Sequence, residues 1–329
     1  MKKVVSYILF LGLAVVLLYF SFSGVHWNDF IEGLRSANYT WILASMTFGV
    51  VAFWIRGIRW RLLIQNTGYR VTKSAAFDAI TIAYLANFAL PRAGELARCG
   101  VLTKTSRAPF DTLLGTVVLE RAFDVLCLFI TTMVVIGVQW NLFGSFMERQ
   151  LWDPFLAMFA HNAFYLAAFL LFIALVPIVV YLYRKRLNRF FVFQKTFEVA
   201  AGIFRGLKSG YNLPQKGAFL LYTLVLWGCY LAMSYCTLLA FPAVSHLNIL
   251  DAAFLMAVGS LGWIVPVQGG IGAYHFIVSL ALASVYGISQ TQGFIFATIS
   301  HESQAITMIL FGLFSLIRTT CRPQAQPNR

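Results

Sequence analysis

The sequence predicts an all-α polytopic membrane protein with about six full transmembrane helices and two interrupted helical hairpins. Its 329 residues are 60% hydrophobic and 11% charged, with a mean hydropathy of +0.76, whereas a soluble domain has about 25% charged residues. Apolar segments of about 20 residues, the length that crosses a bilayer, recur along the chain. Aromatic residues make up 16% of the chain, and Trp and Tyr collect at membrane interfaces. Together these observations exclude an ordinary soluble protein.

Six apolar segments have the length of a full transmembrane helix. They are residues 4–23, 40–57, 112–139, 161–183, 216–241 and 292–317. A cleaved signal peptide is an alternative for the first segment, but its apolar run exceeds the usual h-region of about 7 to 15 residues. We therefore expect an uncleaved signal anchor, a single integral membrane domain over residues 1–321, and a disordered polar tail at 322–329.

The distribution of basic residues predicts the orientation, because cytoplasmic loops retain Lys and Arg. The strongest marker is segment 184–216, which holds eight basic residues against Glu198 alone. Basic residues also precede the first apolar segment and follow the last one, and those from Arg56 to Lys73 indicate another cytoplasmic loop. We expect a multi-pass protein of the cell inner (cytoplasmic) membrane with both termini in the cytoplasm. The net charge of +13 is then explained by topology and anionic lipid, and no nucleic-acid partner is expected.

Two further apolar regions, 75–102 and 252–286, are each interrupted by proline and glycine. Pro91 and Gly94 break the first region, and Pro266 begins the break in the second. Cytoplasmic markers flank the first region on both sides, so it enters and leaves on one side, either as a re-entrant hairpin or as a pair of short full spans. The second region is predicted to enter from the outside.

The opposite orientation of these two regions predicts an inverted-topology repeat. Ala75-Ala-Phe77 and Ala252-Ala-Phe254 begin the two regions at similar distances from their breaks. The repeat halves would span roughly residues 40–139 and 216–317, joined by the cytoplasmic basic connector 184–216. Transporters built this way bind substrate where the repeats meet. Unrelated kinks in a helical bundle are the alternative.

Charged residues follow the first break and recur in the next helix. Arg92, Glu95 and Arg98 lie three residues apart, a spacing that puts them on one helical face. An unpaired ion in hydrocarbon costs at least a few kcal/mol, so we expect a buried network with the acids of the next helix. The network is either purely structural or an anionic head-group site, since the planar guanidinium fork suits phosphate. The phosphate-binding candidates are Arg92, Arg98 and Arg121, and the acids that would set their geometry are Glu95, Glu120 and Asp124.

The second break offers backbone groups in place of charge. Its glycines precede a helical arm, where exposed N–H groups and a helix N-terminus would suit phosphate or carboxylate. Polar residues near the same face would either relay protons or be satisfied by packing. The glycines are Gly269, Gly270 and Gly272, and the polar residues are His275, His301 and Glu302. Asp78 is either a further member of the arginine network or an interfacial acid.

No hydrolase, Walker-type or Rossmann pattern occurs in a usable context. The five cysteines are an odd number without metal-ligand spacing, so neither a disulfide framework nor a zinc site is implied. We expect no catalytic residues, no cofactor and no bound metal.

Four segments together resemble the lysylphosphatidylglycerol synthase transmembrane (flippase) family. They are Arg56-Gly-Ile-Arg-Trp60, Leu90-Pro-Arg-Ala-Gly-Glu-Leu-Ala-Arg98, Glu120-Arg121 with Asp124, and Pro266-Val-Gln-Gly-Gly-Ile-Gly272. The likeness covers nearly the whole chain and implies a lipid-flipping membrane domain, which in the multiple peptide resistance factor is fused to a soluble aminoacyltransferase. This chain ends soon after its last apolar segment, so we expect a stand-alone member without lipid aminoacylation. It departs from the family pattern at Gln268, at Tyr274 and at the His301-Glu302 pair.

The function expected from these features is transport. The chain would move an anionic phospholipid or lipid-linked head group between leaflets, with anionic membrane lipids as its partners. One alternative is a membrane-embedded transferase that acts on a lipid phosphate, with Glu120 or His301 as the base. Another is a non-transporting membrane partner of a separate lipid synthase.

Overall fold

The computed structural model describes residues 25–106, 108–140, 213–265 and 267–321, together with a few isolated positions elsewhere. The predicted spans 4–23 and 161–183, most of the basic connector and the tail lie outside these residues. So does Pro266 at the second break.

Within the described residues the secondary structure is helical and contains no β-strand. The helices are α1 (Trp27–Ser36), α2 (Tyr39–Gln65), α3 (Lys73–Ala89), α4 (Gly94–Ser106), α5 (Phe110–Val138), α6 (Lys216–Ala240), α7 (Ile249–Ile264), α8 (Ala273–Tyr286) and α9 (Gln290–Cys321), with a 3₁₀ turn at Gln268–Gly270. Five segments are long and apolar enough to cross a membrane: α2, α5, α6, α9 and the stretch Gln268–Tyr286. The predicted fold class, an all-α polytopic membrane protein, is confirmed.

The predicted span 40–57 is only the first part of a longer helix, α2. This helix starts at Asn38, whose side chain accepts a hydrogen bond from the Thr40 amide, a common N-cap arrangement. It continues to Gln65, so Arg56 and Arg59 lie inside it, where they are 5% and 0% exposed. The prediction that these arginines belong to a cytoplasmic loop is wrong, because acids on α5 compensate their charge and allow the helix to stay buried.

A short helix precedes α2, between the first two apolar segments that the sequence predicts. Helix α1 carries one buried residue, Phe30, whose ring centroid lies 5.8 Å from that of Phe294 on α9. The amphipathic pattern of α1 therefore fixes it on the side of the last helix.

Helices α2 and α6 pack against each other and run in opposite directions. Near the start of α2, the Asn38 amide donates to the Ala240 carbonyl oxygen at the end of α6, at 2.7 Å. Near the end of α2, Arg59 Nη1 lies 3.5 Å from Thr223 Oγ1, near the start of α6. One hairpin follows α2 and the other follows α6, so the two hairpins start at opposite ends of this pair. That is the arrangement of an inverted-topology repeat.

The first hairpin consists of α3 and α4, and the second consists of α7 and α8. Their arms contain 17, 13, 16 and 14 residues, at or below the short end of the range that crosses a bilayer. Near the tips, Phe88 and Trp263 pack in one cluster with Phe53, which lies close to the middle of α2. Arg92 Nη2 also donates to the Ile264 carbonyl oxygen at 3.0 Å. The tips therefore meet each other near the middle of α2, an arrangement that suits re-entrant hairpins.

The last helix of each half is tied to an acid near the start of the other half's hairpin. Arg318 near the end of α9 donates to the Asp78 carboxylate on α3 through Nε, at 3.0 Å, and through Nη2. Gln139, just after α5, donates to Asp251 Oδ1 on α7 at 2.7 Å. These crossed contacts join the two halves at both ends.

Much of the outer surface of the described helices is apolar. Helix α5 is the least buried of the candidate membrane spans, with 11% of the residues in its most apolar stretch buried. Its large residues Val125, Phe129 and Val134 are more than half exposed. Surfaces of this kind suit contact with lipid chains.

Candidate functional site

A buried group of five ionisable residues lies where the first hairpin meets α2 and α5. We call it the arginine cluster; its members are Arg56, Arg59, Arg98, Glu120 and Asp124. Arg56 and Arg59 are one helical turn apart on α2, and Glu120 and Asp124 are one turn apart on α5, so each pair shares a face. Arg98 reaches the same point from α4. The charges of three helices meet at this point because the paired residues on α2 and on α5 each share one helical face.

Glu120 is the centre of the arginine cluster. Its side chain is fully buried and lies within salt-bridge distance of three guanidiniums. Oε1 is 2.9 Å from Arg56 Nε and 3.1 Å from Arg59 Nη2. Oε2 accepts a hydrogen bond from Arg98 Nη1 at 2.6 Å. One carboxylate therefore holds α2, α4 and α5 together.

Asp124 completes the acidic side of the cluster. Its Oδ1 accepts from Arg59 Nη2 at 2.6 Å and its Oδ2 accepts from Arg56 Nη2 at 2.8 Å. Arg56 Nη1 donates to the hydroxyls of Tyr84 and Tyr230, each at 3.2 Å. Each of the three guanidinium nitrogens of Arg56 therefore has a partner.

The cluster carries more positive than negative charge. Three guanidiniums face two carboxylates, which leaves one excess positive charge in a region that is largely shielded from solvent. Arg59 Nε and Arg98 Nη2 are buried and have no hydrogen-bond partner among the described residues. A buried charge without a counterion is costly, so the cluster has the electrostatics of an anion-binding site.

A narrow cleft leads to the cluster, and its free space is only about 10 Å³, which is about what a single water molecule needs. Arg56, Arg98 and Arg121 line it together with residues of the first hairpin. At its rim, Arg121 Nη2 lies 3.1 Å from Glu95 Oε1, and these side chains are 43% and 30% exposed. Arg121 also approaches Asp124 at 3.8 Å. The three arginines therefore face one opening between α3, α4 and α5.

The structure brings together most of the charged residues that the sequence singled out in the first half. Arg98, Glu120 and Asp124 are in the cluster, and Glu95 and Arg121 form its rim. Arg92 is not in it. The prediction that Arg92 shares a helical face with Glu95 and Arg98 is wrong, because α4 begins only at Gly94 and Arg92 lies in the break with a φ of 61°.

Sequence reasoning assigned no site role to Arg56 and Arg59. Their spacing of three residues would have indicated one helical face if the helix had been continued past residue 57. Tyr84 and Tyr230 carried no distinguishing signal. Asp78, for which membership in the network was one alternative, pairs with Arg318 and is a separate ion pair.

The glycines of the second break are buried instead of exposed. Gly269, Gly270 and Gly272 have φ values of 57°, 78° and 80°, a region that favours glycine. A Cβ on Gly269 would lie 2.4 Å from the Phe88 ring. The glycines are therefore closed to solvent in this conformation, since the first hairpin packs directly on the turn.

The structure also joins the three polar residues predicted near this break. His301 on α9 lies 2.9 Å from Glu302 through Nδ1, and 2.8 Å from the Gly269 carbonyl oxygen through Nε2. His275 Nε2 on α8 lies 3.7 Å from Glu302 Oε1. These residues form a second polar group, separate from the arginine cluster, at the turn of the second hairpin.

The helical architecture and the buried ionic cluster define a multi-pass membrane protein with a charged site where the first hairpin meets two long helices. Residues 7–312 match the family described as lysylphosphatidylglycerol synthase TM region. The chain belongs to this family.

A comparison with curated proteins finds similarity to the protein named Glycosyltransferase AglD of Haloferax volcanii. The two are 23% identical over 342 aligned positions, which cover 93% of this chain and 52% of that relative. The chain therefore spans about half the length of the curated relative. No solved structure matches the chain.

Proposed function

We propose that the protein moves an anionic phospholipid or a lipid-linked anionic head group between membrane leaflets. The observation that supports this most is the excess positive charge of the arginine cluster, with Arg98 Nη2 beside the cleft and without a partner in the part of the chain that the structure describes. Membership in a family of lipid-synthase membrane domains supports a lipid as the substrate class. A phosphate group would supply the missing negative charge and accept from the guanidinium fork.

The cleft is narrow, so a head group can reach the cluster only if the rim opens. The Arg121–Glu95 contact at the rim is partly exposed, and contacts of this kind contribute little stability. The Arg98–Glu120 contact deeper in is buried and much harder to break. Opening at the rim therefore exposes the cluster without dismantling it. Arg121 would then be free to contact the same phosphate as Arg98.

The two hairpins supply the remainder of the route. Their tips touch through Arg92 and the Ile264 carbonyl group, and the hairpins start from opposite ends of the α2–α6 pair. A head group that leaves the arginine cluster would therefore meet the tip of the second hairpin. Inverted-repeat transporters move substrate by changes at such a meeting point.

The direct test is reconstitution in liposomes with a fluorescent anionic lipid. The proposal predicts faster exchange between leaflets than in protein-free vesicles. Exchange no faster than in empty vesicles, across several anionic lipids, would contradict it. Thermal unfolding of the reconstituted protein checks that an inactive sample is folded.

A membrane-embedded transferase is the second candidate, because the relative with 23% identity is named a glycosyltransferase. Under this alternative a lipid phosphate would be an acceptor, and Glu120 or His301 would act as the base. Lipid mass spectrometry after overexpression separates the two candidates. A covalently modified lipid supports the transferase, whereas unchanged lipid composition with faster exchange supports transport.

A non-transporting partner of a separate lipid synthase is the remaining alternative. It predicts that substitutions in the arginine cluster leave the synthase's product and its distribution between leaflets unchanged. The transport proposal predicts that the product forms but stays in the leaflet where it was made.

A further inference from the structure

The polar group at the second hairpin gathers three side chains that are common metal ligands. His275, His301 and Glu302 each offer one ligand atom, and these atoms lie within 4.8 Å of one another. His275 is 3% exposed and His301 is 0% exposed. The Glu302 side chain is 49% exposed, so the group has one open side.

The hydrogen bonds of His301 determine which of its nitrogens carries hydrogen. Nε2 lies 2.8 Å from the Gly269 carbonyl oxygen, which can only accept, so Nε2 carries the hydrogen. In a neutral imidazole Nδ1 is then a lone pair, and it faces Glu302 Oε1 at 2.9 Å. Two acceptors at that distance require a positively charged species between them, either a proton or a metal ion.

The spacing of the ligand atoms suits a metal ion. Zn²⁺ binds imidazole nitrogen and carboxylate oxygen at about 2.0 to 2.2 Å in tetrahedral geometry. Two ligand atoms of such an ion are then roughly 3.3 Å apart. Two of the three separations lie on either side of this value: from Glu302 Oε1, His301 Nδ1 is 2.9 Å away and His275 Nε2 is 3.7 Å away. The two histidine ligand atoms lie within 4.8 Å of each other, so ion binding would draw α8 and α9 slightly together. At 3.7 Å, His275 is too far from Glu302 for a hydrogen bond.

The surroundings of His301 have the features of an outer ligand shell. A metal-binding histidine usually donates its other ring N–H to a carbonyl or carboxylate, as His301 does to Gly269. The Trp263 ring stacks on the imidazole, with centroids 5.0 Å apart and an angle of 21° between planes. The Tyr274 ring lies 5.5 Å away. The orientation of His301 is therefore fixed before any ion binds.

We propose that His275 Nε2, His301 Nδ1 and a Glu302 carboxylate oxygen bind one divalent transition-metal ion of the Zn²⁺ type. Imidazole with one carboxylate suits such ions better than Mg²⁺ or Ca²⁺, which prefer oxygen ligands. Three protein ligands leave a fourth position, on the exposed side of Glu302, for water or another donor. The ion would join α8 to α9 and, through Gly269, fix the turn of the second hairpin. This proposal does not depend on lipid transport.

The test measures Zn²⁺ binding to the purified full chain in detergent after treatment with a chelator. We expect one Zn²⁺ ion per chain by equilibrium dialysis and elemental analysis. Replacing a ligand in His301→Gln or His275→Gln should weaken binding by at least the roughly 10- to 100-fold that loss of an outer-shell partner costs. The exposed His246, in the loop before α7, provides the control His246→Gln, which should bind as the wild type does. Fewer than half an ion per chain, or equal loss in the control, would overturn the proposal.

A second measurement uses only the unmodified protein, so it does not depend on how the variants fold. Co²⁺ added to the metal-free chain should give the intense visible absorption of a four-coordinate nitrogen and oxygen site. The weak spectrum of hydrated Co²⁺ would show that a proton, and no metal, lies between His301 and Glu302. A thiolate charge-transfer band would assign the bound ion to a cysteine. Either of these results rejects the site.

Discussion

Arg98 and Glu120 are joined by a hydrogen bond of 2.6 Å between Nη1 and Oε2, and both side chains are almost completely buried. The Arg98 guanidinium also lies over the Trp60 ring, 4.6 Å from its centroid. The hydrogen bond between Arg98 and Glu120 ties the outgoing arm of the first hairpin to α5. The second terminal nitrogen of the guanidinium, Nη2, has no partner among the described residues. Arg98 is therefore both a structural link and the strongest candidate for contact with a phosphate.

Loss of the Arg98 charge should weaken the binding of anionic lipid. A hydrogen bond to a charged group contributes about 1.5 to 3 kcal/mol, so Arg98→Gln should lower affinity for a fluorescent anionic lipid by about 10- to 100-fold. The exposed Arg35 on α1 provides the control Arg35→Gln. Lipid affinity in detergent micelles, measured by fluorescence titration, is the readout. Equal affinity in both variants would remove Arg98 from the site.

Neutralising Glu120 should destabilise the whole domain. Three guanidiniums would lose their shared partner, and breaking a buried ion pair costs about 3 to 5 kcal/mol. Glu120→Gln should therefore unfold at much lower denaturant concentration than the wild type. Asp29→Asn, an exposed acid on α1, should change the free energy of unfolding by less than about 0.5 kcal/mol. A small effect for Glu120→Gln would contradict the central role of this carboxylate, because it would mean that Asp124 and solvent compensate the arginine charge without it.

The first break requires glycine at position 94 because of a close backbone approach. A Cβ there would lie 2.4 Å from the Ala83 carbonyl oxygen and 2.8 Å from the Asn87 side chain. Gly94→Ala should cost about 1 to 3 kcal/mol of unfolding free energy. Gly100 lies on the same helix, and a Cβ added there would meet open space, so Gly100→Ala should be neutral or stabilising by up to about 1 kcal/mol. Similar effects for both variants would contradict the packing described for the hairpin.

Much of the fold followed from the sequence because membrane spans and basic residues are strong signals. The predicted spans 112–139 and 216–241 agree with α5 and α6 to within two residues at each end. The error at the end of α2 had one cause: arginine was taken as evidence of a loop. Charge compensation between Arg59 and Glu120, which lie far apart in the sequence, cannot be seen in a local window.

The candidate site was predicted in part for a similar reason. Arg98, Glu120 and Asp124 stood out because they interrupt apolar surroundings. The polar group at His275 and His301 did not stand out as a candidate metal site, because its side chains come from two helices and meet only when α8 packs on α9. Arg92 was misplaced because its backbone conformation ends any helical spacing before residue 94.

The inverted arrangement of the hairpins predicts their accessibility from the two sides of the membrane. Lys73 at the start of α3 and Ile249 at the start of α7 are exposed and lie at opposite ends of the α2–α6 pair. In a chain without native cysteines, Lys73→Cys should react with a membrane-impermeant reagent from the cytoplasmic side and Ile249→Cys from the outside. Labelling of both from the same side would contradict the repeat.

Head-group selectivity in reconstituted liposomes is the most direct measure of a lipid path through the arginine cluster. Fluorescent lipids with the same chains and either an anionic or a zwitterionic head group would be compared in vesicles that contain wild-type protein or Arg98→Gln. We expect faster leaflet exchange of the anionic lipid in the wild type, and loss of that preference in Arg98→Gln samples that thermal unfolding shows to be folded. Equal exchange of both lipids by the wild type, or an unchanged preference in the variant, would contradict a lipid path through the arginine cluster.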